Sequence, residues 1–426
     1  MAGLIGTLPY WEIHFNQDGK LLDDSGLLAG IADTAVSELF IFSHGWNVSE
    51  ASARNLSHAM FSLLSDQVGK HAADRRGAVG AVAVFWPSLL FPEDDPSAAA
   101  AGGSTPQASS GAELTAALAP AFQAPQQSAL RQIGQLLDAK PQEPNSLQQC
   151  HDLVRTLVTS PALGAAEDTG ESAVLTQPTA AVFGQLAGMS KTRGGAEGLP
   201  DVFTTLWQGA REALRTASYY EMKNRAGVIG QTGLGPLVSR LAAARQGLRI
   251  HLLGHSFGAR LAAYTLSGLP AAPADQASPV KSLLLIQGAF SHFTFAQPMP
   301  IDASRSGHLA GVRGRVNGPL LATFSAADRA VGWWYPAASM LSHSDSESAI
   351  DLTYRWGGMG HDGYQHPDVT QLDLQADGKP YPFEKGRCYR LKSDTIIRAN
   401  QSAFSGAHSD IRHPEILWAS LAAALT

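Results

Sequence analysis

Cysteine is scarce in this chain: Cys150 and Cys388 are the only two in 426 residues. Two cysteines cannot build a disulfide framework, and no close pair suggests a zinc or iron–sulfur site. Basic charge is also in short supply. The formal net charge is −6 at pH 7, whereas a face that neutralises phosphates needs a basic excess. Nucleic acid is therefore not an expected partner, and neither is an anionic membrane surface. No uninterrupted apolar run reaches the ~18–20 residues of a spanning helix, so stable membrane insertion is not expected. The opening MAGLIGTLPYWEIHF lacks a basic region followed by a long apolar stretch, the mark of a secretory signal. The expected setting is cytoplasmic, or exported by a route without a cleavable signal peptide.

What is present is apolar bulk, 44% of the residues, enough for two domains or one large domain with an insertion. Trp11–Phe15 and Lys20–Leu22 flank Asn16-Gln17-Asp18-Gly19 and read as a hairpin, because Asp-Gly tolerates positive φ. Short runs follow at Glu38–Ser43, Ala78–Trp86, Leu248–Leu253, Ser282–Gln287, Leu320–Phe324 and Arg387–Leu391. The first two, Glu38–Ser43 and Ala78–Trp86, are apolar nearly throughout instead of alternating, as expected of strands of a parallel sheet covered on both faces. Helical spacing separates most of the runs, and Pro414–Leu425 reads as a closing helix with proline in its first turn. Strands alternating with helices predict an α/β fold with a mostly parallel central sheet and helices on both faces.

Residues 91–215 differ in character. PEDDPSAAAAGGSTPQASSG reads as a flexible segment. Gln127–Leu137, Asp152–Val158 and Val202–Ala217 carry helical spacing. The stretch reads as a largely helical insertion, a cap, between core segments 1–90 and 216–426. The alternative is a linker between two domains.

Gly254-His255-Ser256-Phe257-Gly258 lies between the apolar strand Leu248–Leu253 and the helix-like Ala259–Leu266. A G-x-S-x-G turn in that context places the serine on a sharp, strained elbow, where side chains two residues away would collide. A serine hydroxyl is a poor nucleophile without a base, and the base needs a carboxylate to orient it. The acid and histidine should follow in chain order on later loops. Asp328 lies just past Leu320–Phe324, unlike its rivals Asp302 and Asp351. His408 lies between Arg387–Leu391 and the last helix. His413 reads as a helix cap, and His361 and His366 precede the last strand. The oxyanion donors expected are the backbone amides of Phe257 and of Trp46, in the loop His44-Gly45-Trp46-Asn47. His44 reads as holding that loop. His44, Trp86, Trp333 and Trp334 are candidates for lining a substrate pocket, with ordinary packing the alternative for the tryptophans.

Phe42–Asn47, Phe85-Trp86-Pro87-Ser88, Gly254–Gly258 and Gly406-Ala407-His408-Ser409-Asp410 together resemble the α/β-hydrolase superfamily. More narrowly, the chain looks like bacterial α/β-hydrolases with an "HG" loop, a "WPS"-like strand end and a His-Ser elbow. The resemblance covers roughly residues 35–90 and 218–420. It implies an α/β-hydrolase fold and lipase, esterase or related acyl-hydrolase activity, and does not choose among them. The insertion follows the Trp86-Pro87 strand, whereas many lipases carry their cap later, so lid behaviour is not carried over.

The expected chemistry is cleavage of a carboxylic ester in a small-molecule or lipid acyl substrate, through an acyl-serine, with no metal and no cofactor. The same residues would serve a serine peptidase or amidase. A non-catalytic binding protein of the same fold is the reading from another class. His361–Asp368 holds metal-capable groups without a recognised ligand spacing.

Overall fold

The computed structural model describes residues 3–88, 110–158, 177–191, 202–270, 277–331, 354, 357–399 and 406–426. Among them, ten strands form one sheet. They are β1 (Gly3–Ile5), β2 (Leu8–Phe15), β3 (Leu21–Asp23), β4 (Glu38–Ser43), β5 (Val79–Phe85), β6 (Arg249–His255), β7 (Val280–Ile286), β8 (Leu320–Phe324), β9 (Val369–Asp373) and β10 (Cys388–Lys392). Their spatial order is β1-β2-β5-β4-β6-β7-β8-β10-β9, with β3 paired to β2. Only β1 and β3 run antiparallel to their neighbour. Every other pairing is parallel.

The helices are α1 (Leu27–Asp33), α2 (Glu50–His71), α3 (Gly111–Leu118), α4 (Ala124–Ala139), α5 (Pro144–Arg155), α6 (Thr179–Lys191), α7 (Val202–Val228), α8 (Gly235–Ala244), α9 (Phe257–Thr265), α10 (Met359–Asp362) and α11 (Pro414–Leu425). They cover both faces of the sheet, so the protein is α/β with a mostly parallel sheet. Strand β4 shows why its sequence is continuously apolar. Leu39 and Ile41 enter one core, while Phe40 and Phe42 enter the other. Successive side chains point to opposite faces, and neither face meets water. Met60, Phe61 and Leu64 of α2 pack with Ile416 and Leu417 of α11 on the second face. Trp11, Leu252 and Leu261 lie in the first.

The expected hairpin is formed by β2 and β3. Asn16 N–H donates to the Lys20 carbonyl across 2.9 Å, and Gly19 takes φ 82°. Strands β1 and β9 were not expected. β9 has no buried residue and β1 only one, Ile5, so no apolar run marks them.

Within 91–215, helices α3 to α6 join the same core as Trp11 and Leu252, through residues such as Leu114, Ile133, Val154 and Phe183. A reciprocal cap starts α3: Ser110 Oγ accepts from Glu113 N–H (3.1 Å) and Glu113 Oε2 from Ser110 N–H (2.8 Å). Helix α7 runs unbroken through residue 215, so the expected boundary at 215/216 falls inside it. At one end Gly209 lies so close to α6 that a Cβ would overlap the Phe183 carbonyl. Past its other end, in the π-helical turn Ile229–Leu234, a Cβ on Gly230 would overlap the Leu261 carbonyl of α9. The Ala/Gly/Pro/Ser-rich segment lies almost wholly outside the described residues, and so do Trp333 and Trp334. No described helix is long and apolar enough to cross a membrane.

Candidate active site

Strand β4 sits between β5 and β6, so the order of strands reverses at it. At such a switch point the loops leaving the carboxyl ends part and open a crevice. The His44–Asn47 loop after β4 and the turn after β6 meet there. A Cβ on Gly45 would lie 2.7 Å from Ser256 Cβ and 3.3 Å from its Oγ. Glycine at 45 thus lets the loop backbone come against the serine.

Ser256 joins β6 to α9 with φ 57° and ψ −121°, a region that L-residues rarely adopt. Three backbone bonds hold it there. Its N–H donates to the Ile286 carbonyl (3.1 Å), and its carbonyl accepts from Ala259 (3.1 Å) and Ala289 (3.2 Å). The flanking glycines are required by contact. A Cβ on Gly254 would overlap the Gly258 backbone, and one on Gly258 the Ser43 and His44 carbonyls. Phe257 is the first residue of α9, where an amide has no partner within its helix. Such amides and the helix dipole favour negative charge beside Ser256.

Asp328, fully buried, stands past β8 in a turn closed by its own N–H to the Ser325 carbonyl (3.0 Å). Its Oδ2 accepts from His408 Nδ1 at 2.8 Å, and its Oδ1 from Val331 N–H at 3.1 Å. With Nδ1–H given to the carboxylate, Nε2 of a neutral His408 is the basic nitrogen. The small residues before His408 meet the acid's loop. Gly406 (φ 55°) bridges Asp328, and Ala407 N–H donates to the Ala327 carbonyl (2.9 Å). Asp410 fixes the far side, accepting from the amides of Arg398 (2.9 Å) and Ala399 (2.7 Å). His255, next to the serine, donates through Nε2 to the His408 carbonyl at 2.9 Å. Among the described residues, Ser256 Oγ makes no hydrogen bond to His408. Contacts of this kind are often long before a substrate binds and tighten afterwards.

His44 and Trp86 form a buried brace behind the crevice. Their rings stack at 5.5 Å, the Trp86 indole N–H donates to the His44 carbonyl (3.1 Å), and Trp86 N–H approaches His44 Nε2 (3.4 Å). His44 Nδ1 is then the protonated nitrogen, donating to the Gly45 carbonyl at 2.9 Å. Burial pulls the His44 pKa down to about 4, so the ring stays neutral. The Trp46 ring lies edge-on to Tyr219 (5.5 Å), and Tyr219 packs on Phe257 (4.9 Å). Tyr219, from α7, therefore packs against the rings of both residues that carry the expected oxyanion donors. It lies outside the elbow motif, and nothing in the sequence singles it out.

The remaining candidates lie elsewhere. His413 occupies the position before α11, but its ring bonds Asp410 (2.9 Å) and caps no amide. His413 is thus the N-cap residue expected from the sequence, though its side chain takes no part in the cap. Asp302 closes a local turn with Ser304 (2.6 Å). His361 and His292 both bond Asp362, at 2.8 and 3.1 Å. Among the described residues, no group of three or more His, Cys, Asp or Glu side chains is arranged to hold a metal.

A second serine–histidine–carboxylate set lies inside the sheet. His251 Nε2 donates to Glu38 Oε2 (2.8 Å) and its Nδ1 meets Ser282 Oγ (2.8 Å). All three are buried near the amino ends of β4, β6 and β7.

Comparison of the chain with protein-family models, curated proteins and solved structures finds no match. Function is therefore argued from the site.

Proposed function

We propose that the protein is a serine hydrolase of the α/β-hydrolase fold that cleaves carboxylic esters of a small-molecule or lipid acyl substrate. The observation that carries the reading is the His408–Asp328 pair, joined at 2.8 Å on loops beside the left-handed Ser256. Chain order serine, acid, histidine and their placement after the parallel strands β6, β8 and β10 support it further.

The reaction uses side chains and amides alone. Ser256 Oγ attacks the acyl carbon while His408 Nε2 takes the hydroxyl proton. The carbonyl π electrons move onto oxygen, which the Phe257 and Trp46 amides receive. Each such donor is worth about 10²–10³ in rate. The intermediate collapses, the ester C–O bond breaks, and the leaving alkoxide takes the proton from His408. A water then repeats the sequence on the acyl-serine, giving the acid and restoring Ser256. Asp328 fixes the tautomer and stabilises the imidazolium. The segments on either side of the insertion supply the catalytic core, and the insertion that caps it begins after residue 90 and runs into α7, the helix shared with the core.

The test is hydrolysis of p-nitrophenyl esters of graded chain length, with fluorophosphonate labelling of the intact chain. Wild type should turn over and label at Ser256 at neutral pH, and Ser256→Ala should do neither. Equal rates in both, or no labelling of wild type, would overturn the reading.

A further inference from the structure

One buried polar side chain touches the acid and has no part in that mechanism. Gln287 directly follows β7 and takes φ 46°, a left-handed conformation uncommon for a residue other than glycine. It is fully buried, and long polar side chains are costly to bury unless bonded. Its bonding is complete. Nε2 donates to Asp328 Oδ2 and to the Gly360 carbonyl, both at 2.9 Å. Oε1 accepts from Thr323 Oγ1 at 3.0 Å, and the same hydroxyl accepts from Gln287 N–H at 3.1 Å. The amide orientation follows from these partners. Reversed, Oε1 would face a carboxylate and a carbonyl with no proton between them.

We propose that Gln287 is a positioning residue for the acid: its carboxamide holds Asp328 in the orientation whose Oδ2 meets His408 Nδ1. The inference rests on reading Ser256, His408 and Asp328 as the catalytic set. Asp328 Oδ2 has two side-chain donors, Gln287 and His408, and the Gln287 carboxamide is itself fixed at both ends, by Thr323 and by the Gly360 carbonyl. Thr323 is on β8 and Gly360 on α10, so Gln287 references the acid to two elements at once. A neutral donor is what the place requires. An apolar residue would take one of two donors from each acceptor, leaving Asp328 Oδ2 only His408 Nδ1 and the Gly360 carbonyl only the Ser325 N–H, in a dry interior. A second carboxylate would repel the first.

The test compares Gln287→Leu and Gln287→Glu with wild type in steady-state kinetics across pH, alongside fluorophosphonate labelling and thermal melting. Gln287→Leu should lower kcat about 10- to 100-fold, the scale of a misplaced catalytic group, with KM changed less than about twofold. Gln287→Glu should move the acid limb of the kcat/KM profile to higher pH, because added negative charge beside the pair favours the imidazolium. A structural residue would lower melting temperature and leave the acid limb where it was. Unchanged kcat in the first variant, or an unmoved limb in the second, overturns the proposal. If Gln287→Leu does not fold, the near-isosteric Gln287→Glu decides alone. Failure of wild type to label at Ser256 is a separate result, which sinks the hydrolase reading itself.

Discussion

His255 and His408 lie ring beside ring, centroids 4.9 Å apart, with His255 Nε2 donating to the His408 carbonyl. Burial, helped by the neighbouring His408, pulls the His255 pKa down to about 3. His255 therefore stays neutral and keeps donating when its neighbour takes up a proton. Replacing it removes the strut between the elbow and the histidine loop. His255→Ala should lower kcat roughly tenfold or more, in keeping with loss of alignment, and slow labelling of Ser256 in parallel. Wild-type labelling rates in that variant would show that the strut is dispensable.

The buried neutral histidines also set an acid limit on stability. Folded His44 and His255 have pKa values near 4 and 3, against an ordinary value of 6.5. Below about 6.5 the unfolded chain binds protons that the folded chain refuses. This stability is therefore present above pH 6.5 and is lost as pH falls toward 4 and then 3, by a few kcal/mol on the order of 1.4 per pKa unit. Urea midpoints should be level above pH 7 and decline from about pH 6 downward. A midpoint constant from pH 7 to 4.5 would contradict the buried neutral assignment.

Gly45 and Gly258 should respond differently to alanine. A Cβ at 45 meets the Ser256 side chain first, so Gly45→Ala should cut kcat/KM by about 10²-fold, the cost of a roughly 1 Å misplacement at the chemistry. Its melting temperature should change little. A Cβ at 258 meets the Ser43 and His44 backbone, which cannot turn aside. Gly258→Ala should cost about 1–3 kcal/mol or more of stability as an overpacked site. Activity assays paired with denaturation would separate the two, and equal stability losses would refute the distinction.

Tyr219 stands against Trp46 and Phe257, so it should shape what reaches the oxyanion donors. Tyr219→Ala should change the preference between short and long acyl esters about tenfold, the scale of ~1–3 kcal/mol for a reshaped apolar pocket. Ser256 should still label. An unchanged chain-length profile would remove Tyr219 from the pocket wall.

The buried Glu38–His251–Ser282 set makes a built-in control. Its histidine presents Nδ1 to the serine and Nε2 to the carboxylate, the reverse of His408. Ser282 should take no fluorophosphonate, and Ser282→Ala should leave kcat within about twofold while lowering stability by ~1 kcal/mol for the lost bond. Labelling at Ser282 by peptide mapping would disprove this.

The parts legible in the sequence were those that local chemistry dictates. Parallel strands buried on both faces must be apolar throughout, so β4 to β8 stood out. The glycines around Ser256 are forced by backbone contact, and the acid and histidine follow from chain order. What escaped notice depends on distant pairings. Gln287 reads as the polar end of an apolar run until Asp328, 41 residues on, is beside it. His251 looks like an interruption in a strand until Glu38, 213 residues away, bonds it. A change in composition points to a boundary at 215/216, and helix α7 runs across it.

Helix α7 has a practical consequence for dissecting the chain. It touches α6 through Gly209 at one end and packs on Trp46 and Phe257 through Tyr219 further along, then continues into the turn seated on α9. Grafting or excising the insertion at residue 215 would cut a girder that both halves share. A cut before Val202 would leave that girder whole, so the modular unit that can be exchanged ends one helix earlier than composition suggests.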